Sequence, residues 1–143
     1  MTVGNICSRE VDTALPDESV RVAADRMLQR NVGTLIVCGK DRKPVGIITD
    51  RDITLSVVAH GLDSETVQVS EIMSTLFGHV SESTDTEPAL SIMRTGGFRR
   101  LPVVNASGAL TGILSVDDVL VQHARETELI ADLIRKEGPG SME

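Results

Sequence analysis

The sequence predicts an α/β protein made of two pseudo-symmetric copies of one unit, each ordered strand–helix–strand–strand–helix. The run GIITDRD at Gly46–Asp52 returns as GILSVDD at Gly112–Asp118, 66 residues later, and the same shift aligns Val3 with Val69 and Met27 with Met93 without a gap. Between helical patterns lie short apolar, β-branched runs that are typical of buried strands. Because a chain of 143 residues can bury about two thirds of its unfolded surface, we expect the two units to share one core.

The first unit contains the signals for two helices around a hairpin. Ser19 has the chemistry of a helix N-cap, and the Asn31–Gly33 break ends the helix after Arg30. The remaining elements follow in order: a strand at 34–38, a hairpin loop at 39–43, a returning strand at 44–48, and a helix from Asp50 to about Gly61, where glycine ends it.

The second unit repeats this order with a longer final helix. Asp85 or Thr86 opens its first helix and Gly96-Gly97 closes it, and strands at 101–104 and 110–114 flank a turn at 105–108. The last helix begins near Val116 and is predicted to reach Arg135. The expected organisation is repeat one at 3–61, a linker at 62–68, repeat two at 69–135 and a disordered tail at 136–143.

Composition excludes several classes of function. The formal net charge of −7 and the near absence of aromatic residues argue against nucleic acid, which needs clustered cations and stacking platforms. No apolar run reaches the ~18–20 residues of a membrane span, and the N-terminal segment lacks the pattern of a secretory signal. Cys7 and Cys38 show no disulfide or metal-ligand spacing, so we expect reduced, buried thiols in a cytoplasmic protein.

The repeated polar signature has two interpretations. Thr49 with Asp52, and Ser115 with Asp118, each match a capping box, which stabilises a helix start without any ligand. Alternatively, a hydroxyl and free N–H groups at a helix start can bind an anion, while an aspartate one turn along accepts hydrogen bonds from a vicinal diol. Gly46 and Gly112 would let another group approach the strands closely. Phosphate, diol and an apolar slot together describe a nucleotide, and two copies of the pattern favour this second interpretation.

These motifs resemble those of a tandem pair of cystathionine-β-synthase (CBS) domains, also called a Bateman module. The resemblance covers about residues 3–125 and is carried by the paired G-h-h-[TS]-x-x-D runs, by FRRLPVV at Phe98–Val104 with VGTLIVC at Val32–Cys38, and by VSEIMS at Val69–Ser74. It implies that the cleft between the repeats binds an adenosine-containing ligand: AMP, ADP or ATP first, with NADH or S-adenosylmethionine as alternatives. It also implies a homodimer formed through the helices.

The resemblance assigns roles to individual residues. Asp52 and Asp118 would hold ribose diols, Thr49 and Ser115 would contact phosphate or ribose, and Ile36 and Pro102 would lie beside the adenine. Repeat one departs from the family pattern in having Ile36 where proline is frequent. Arg51, Arg99 and Arg100 are the candidate phosphate partners, because a guanidinium suits bidentate contact with phosphate.

The expected function is therefore that of a non-catalytic nucleotide sensor that signals to an unknown effector protein. Three rivals remain open: a ligand-free interaction or dimerisation module whose polar pairs only cap helices, an enzyme acting on a nucleotide, and a metal site using Cys7 or Cys38. No pairing of nucleophile and base is legible among the Ser, Cys and His residues, so the sequence offers no visible catalytic apparatus.

Overall fold

The computed structural model describes residues 1–75 and 78–137 and confirms the α/β fold of two repeats. Its first repeat contains the following elements: α1 (Val3–Ile6), β1 (Thr13–Ala14), α2 (Val20–Arg30), β2 (Thr34–Cys38), a 3₁₀ turn (Lys40–Arg42), β3 (Pro44–Thr49) and α3 (Asp50–Ile53), which continues as a π-helix (Thr54–Val58). The second repeat contains α4 (Val69–Ile72), β4 (Ser74–Thr75), β5 (Val80–Ser81), α5 (Thr86–Gly96), β6 (Arg100–Val104), β7 (Leu110–Ser115) and α6 (Val116–Glu137).

Each repeat builds its sheet on the same frame. β1 pairs in parallel with β2, β2 pairs antiparallel with β3, and β5, β6 and β7 repeat this arrangement. The registers coincide after the 66-residue shift, since Val37 lies opposite Gly46 just as Val103 lies opposite Gly112. A bulge follows at the next position of both hairpins.

The opening segment of each repeat packs on the other repeat. β4, from repeat two, pairs with β3 of repeat one, and Ser8 exchanges two backbone hydrogen bonds of 2.9 Å with Ile113 of repeat two. Accordingly, Val3 is buried in the core of repeat two and Val69 in the core of repeat one. The two halves of the sequence are therefore interlocked, and neither half contains its complete core.

Successive side chains of β2 point alternately into two hydrophobic clusters. Leu35 and Val37 point to the helices of their own repeat. Ile36 and Cys38 point the other way and pack with Leu110 of repeat two. Full burial of a side chain of this size contributes about 1.5–3 kcal/mol, so this strand stabilises both its own repeat and the junction between repeats.

Helix ends follow the predicted chemistry. The Ser19 side chain accepts a hydrogen bond from the Val22 N–H and caps α2, and Asn31, in the left-handed region at φ 53°, ends it. Gly97, at φ 72°, does the same for α5, because glycine adopts this conformation without steric cost.

The C-terminal helix is longer than the sequence predicts. α6 continues through Lys136 and Glu137, which were expected in a disordered tail, since Arg135 and Lys136 in its last turn interact favourably with the helix dipole. The rest of the predicted tail, 138–143, lies outside the described residues. Within the described part of the chain, no helix is long and apolar enough to cross a membrane.

Candidate functional site

Both copies of the repeated signature form complete capping boxes. The Thr49 N–H donates to Asp52 Oδ2 at 2.8 Å, and the Asp52 N–H donates to Thr49 Oγ1 at 3.1 Å. Ser115 and Asp118 make the same two bonds at 2.9 and 3.1 Å. Each carboxylate thus uses one oxygen to cap its own helix start, which stabilises a helix by about 0.5–2 kcal/mol. Its other oxygen accepts no hydrogen bond from the described residues.

The two repeated glycines admit the crossing segments of the opposite repeat. A Cβ on Gly46 would lie 2.5 Å from Met73 Sδ and 3.0 Å from the Ser74 carbonyl oxygen. A Cβ on Gly112 would lie 2.9 Å from the Ser8 carbonyl oxygen. The close approach predicted at these glycines therefore occurs, and the groups that approach belong to the chain itself.

A cavity of about 320 Å³ lies between the repeats. Repeat one contributes the stretches 10–12 and 31–34 to its wall, and repeat two contributes Arg100 and Ile113. A second cavity of about 200 Å³ shares Arg100 and is lined further by Arg99, Ser115, Val116 and Asp117. The structure therefore brings three of the predicted site residues, Arg99, Arg100 and Ser115, to one end of the cleft between the repeats.

Charges around this cleft are partly compensated. Asp12 pairs with Arg30 Nε at 2.8 Å, and Arg99 lies 3.7 Å from Asp117 at the surface. Among the described residues, Arg100 has no ion pair, so its exposed guanidinium is available to an anion. A surface pair such as Arg99–Asp117 is weak, because both side chains remain solvated.

The remaining predicted residues divide between core and surface. Ile36 and Pro102 are buried, and the Ile36 N–H donates to the Asp12 carbonyl oxygen at 3.1 Å, a bond that Pro102 cannot make because it lacks an N–H. Arg51 is exposed at the start of α3. Thr49, Arg51 and Asp52 line neither of these two cavities. By the 66-residue shift Thr49 corresponds to Ser115, and we call the two places the Thr49 end and the Ser115 end of the cleft.

Sequence reasoning missed the contribution of repeat one to the large cavity. The stretch 31–34 was assigned to a helix break and a strand start, the stretch 10–12 was assigned to no element, and no chemistry was attached to either. The 66-residue shift contained the signal, because Gly33 and Thr34 are the counterparts of Arg99 and Arg100.

Burial disfavours the thiolate form of both cysteines. Both cysteines are free, and burial raises the pKa of the Cys7 and Cys38 thiols above the usual range. A raised pKa keeps a thiol protonated and weakens it as a nucleophile or metal ligand. Within the described ranges, no three His, Cys, Asp or Glu side chains are grouped as metal ligands.

Comparison with known proteins identifies the family. The family model of the CBS domain matches residues 3–59 and 69–123, which is most of the chain. The chain belongs to the CBS-domain family. Its two matched stretches coincide with the two repeats, so the fold is that of a Bateman module, and tandem CBS domains of this kind are regulatory modules.

Three similar proteins are of bacterial or archaeal origin. The CBS domain-containing protein YhcV of Bacillus subtilis is 35% identical over 120 residues, which cover 84% of this chain and 84% of that protein. An uncharacterised protein of Methanopyrus kandleri is 33% identical over 84% of this chain, but the match spans only 61% of that protein. Among solved structures, the CBS domain protein PAE2072 of Pyrobaculum aerophilum, complexed with AMP, has a TM-score of 0.77 at 26% identity and covers 92% of this chain and 99% of that one.

Proposed function

We propose that this CBS pair is a non-catalytic sensor that binds an adenine nucleotide in the cleft between its repeats. The observation that carries the proposal is the cavity of about 320 Å³ between the repeats, which adjoins a second cavity around Arg99, Arg100 and Ser115. Concave sites of this order, with few but well-placed polar groups, are typical of small-molecule binding. The similar protein from Pyrobaculum is an AMP complex, which supports an adenine nucleotide as the ligand.

We expect each part of the nucleotide to contact a residue that lines the cleft or, in the case of Asp118, a residue beside the lining. Arg100 and Arg99 offer guanidinium groups to the phosphate, with bidentate geometry. Ser115 Oγ accepts one bond from the Asp118 N–H and can still donate its own hydrogen. The second oxygen of Asp118 can accept a bond from a ribose hydroxyl while the first oxygen keeps its cap. Ile113 and Val32 provide apolar surface for the base.

We propose that nucleotide binding is signalled to a partner protein through the helices. Several large apolar side chains are exposed on the helices that follow the two signatures and on the segment after α3: Leu55, Val58, Leu62, Leu120, Val121, Leu129, Ile130, Leu133 and Ile134. We propose that these faces form a homodimer and contact an effector protein. A ligand shifts this assembly only by its different affinity for two conformations. Both thiols are free, which fits the cytoplasm, the compartment that we propose.

A ligand-free interaction module is the second candidate. It is favoured by the capping boxes, because the two residues of each repeated pair already satisfy each other at their own helix start. The two candidates differ in one measurable property, which is whether an adenine nucleotide stabilises the folded protein.

Thermal unfolding and calorimetry with AMP, ADP, ATP, NADH and S-adenosylmethionine test the proposal. A ligand at 100 times its dissociation constant should add ~2.7 kcal/mol to the free energy of unfolding. Asp118→Asn should remove most of this gain, because the amide still accepts the Ser115 N–H but no longer offers a charged acceptor to the ribose. Asp132→Asn, at the far end of α6, makes the same charge change and should bind like the parent. Binding by Asp118→Asn at the parent's affinity, or no response to any of the five ligands, would contradict the proposal.

A further inference from the structure

We infer that the two ends of the cleft are not equivalent, and that Asp50 excludes nucleotide phosphate from the Thr49 end, so that each chain binds one nucleotide, at the Ser115 end. This inference rests on the proposed function and deepens it. It concerns the number of ligands and the residue that sets it.

The backbone presents the same frame at both ends. The Asp50 N–H donates to the Gly33 carbonyl oxygen at 2.9 Å, and the Val116 N–H donates to the Arg99 carbonyl oxygen at 2.9 Å. Because these two bonds are related by the 66-residue shift, positions 33 and 99, and positions 50 and 116, occupy corresponding places. Any difference between the two ends therefore arises from their side chains.

The side chains at these corresponding positions differ in charge. At the Ser115 end, Arg99 supplies a guanidinium and Val116 has no charge. At the Thr49 end, Gly33 has no side chain, and Asp50 Oδ2 lies 2.9 Å from the place where a Cβ of Gly33 would be. A carboxylate thus occupies the space in which the arginine side chain begins in the other repeat.

The Asp50 carboxylate is also held in place. Its Oδ1 accepts the Arg51 N–H at 2.8 Å, while the third N–H of the helix start is capped alike at both ends, by Thr49 Oγ1 and by Ser115 Oγ. The donors with which the start of α3 could meet a phosphate are thus satisfied by the protein. An incoming phosphate would meet a fixed negative charge instead of a free N–H group.

The charge balance leads to the same conclusion. The Ser115 end has two arginines, Arg99 and Arg100, against one acidic neighbour, Asp117. At the Thr49 end, Thr34 stands in place of Arg100, and the single guanidinium of Arg51 is balanced by Asp50 beside it. The capping aspartates, Asp118 and Asp52, add one negative charge to each end, so the Ser115 end is neutral and the Thr49 end carries a net negative charge that repels a phosphate group.

Calorimetric titration with AMP measures the number of sites. The parent should bind one AMP per chain, and Asp118→Asn should weaken this site more than tenfold, whereas Asp52→Asn should leave it unchanged. Asp50→Asn keeps the shape of the side chain and its acceptor for the Arg51 N–H but removes the charge, and it should create a second AMP site at the Thr49 end. Adding Asp52→Asn to this variant should remove the second site again. Adenosine, which has no phosphate, should bind the parent and Asp50→Asn alike.

Asp117→Asn is the matched control, because it removes an acidic charge at the Ser115 end. It should tighten the single site without creating a second one. Two AMP sites in the parent, of which Asp52→Asn removes one, would overturn the inference and leave the proposed function intact. An unchanged stoichiometry in Asp50→Asn would also overturn the inference. Absence of AMP binding by the parent would overturn the proposed function and, with it, this inference.

Discussion

The acidic residues of the repeated signature have a structural role that is independent of any ligand. Asp52 and Asp118 each accept the N–H of the hydroxyl residue three positions earlier. The sequence predicted this capping box and a ribose contact as alternatives, and the geometry allows both, because a carboxylate has two oxygens. Replacement of either aspartate by alanine would remove the cap and the proposed ligand contact together, which is why asparagine is the informative substitution.

The glycines of the signature provide a prediction at the residue scale. Gly112→Ala should lower the free energy of unfolding by about 1–3 kcal/mol, since the new methyl group would lie 2.9 Å from the Ser8 carbonyl oxygen, a backbone atom that pairs with the same strand. Gly39→Ala is the control, because its Cβ would meet its nearest neighbour, Val45, at 3.4 Å. Urea unfolding of both variants measures the difference, and an equal effect in the two would contradict the steric explanation.

At the scale of elements, local signals in the sequence predicted most helices and strands. The structure has the predicted N-cap at Ser19 and the predicted helix ends at Asn31 and Gly97. Both hairpins also lie at their predicted positions. Several features were not predicted, among them the short helices α1 and α4, the 3₁₀ turn at Lys40–Arg42, the π-helix at Thr54–Val58 and the last two residues of α6. The 3₁₀ turn and the π-helix are local backbone adjustments that no residue type specifies, and basic side chains in the last turn of α6 favour its continuation.

The exposed apolar face of α6 provides a prediction at this scale. Leu129 and Leu133 are 70% and 56% exposed, and they lie one turn apart on the part of α6 that extends beyond the CBS match. If this face contributes to the proposed homodimer, Leu129→Lys with Leu133→Lys should shift the protein from dimer to monomer in light scattering. The double change leaves the isolated chain folded, because neither side chain is buried in it.

Glu128→Lys is the control for this experiment. It changes the charge of α6 by the same amount, on a different face of the helix. The control should keep the mass of the parent. A double leucine variant that keeps the parent's mass would exclude α6 from the dimer interface.

At the scale of the whole molecule, the two repeats are joined by exchanged opening segments. α1 and Ser8 pack on repeat two, and α4 with β4 packs on repeat one. A repeat in the sequence does not reveal this arrangement, because Val3 and Val69 have the same pattern whether each packs on its own sheet or on the other. The interlocking also places Glu10–Asp12 at the wall of the cleft, next to Arg100.

One ion pair at this junction predicts a dependence on pH. Arg9, just after the crossing at Ser8, binds Glu82 of repeat two, and this hydrogen bond lowers the pKa of the Glu82 carboxyl group below its ordinary value. A lowered pKa contributes stability above the pKa of the unfolded state, and this contribution is lost as the pH falls through the lowered value. Glu82→Gln should therefore melt slightly below the parent at pH 7, and the difference should shrink as the pH falls through the lowered pKa of Glu82. A difference that does not shrink on acidification would show that the carboxylate charge is not its cause.

The sequence by itself determined the repeat, the α/β order, the capping boxes and the arginine pair, because these depend on residue type and spacing along the chain. Only the tertiary structure decided which repeat each opening segment joins, which residues form the wall of the cleft, and that Asp50 occupies the place of an arginine side chain. These outcomes depend on contacts between residues far apart in the chain. Such contacts are set by how the two halves pack, and identical local patterns are compatible with more than one packing.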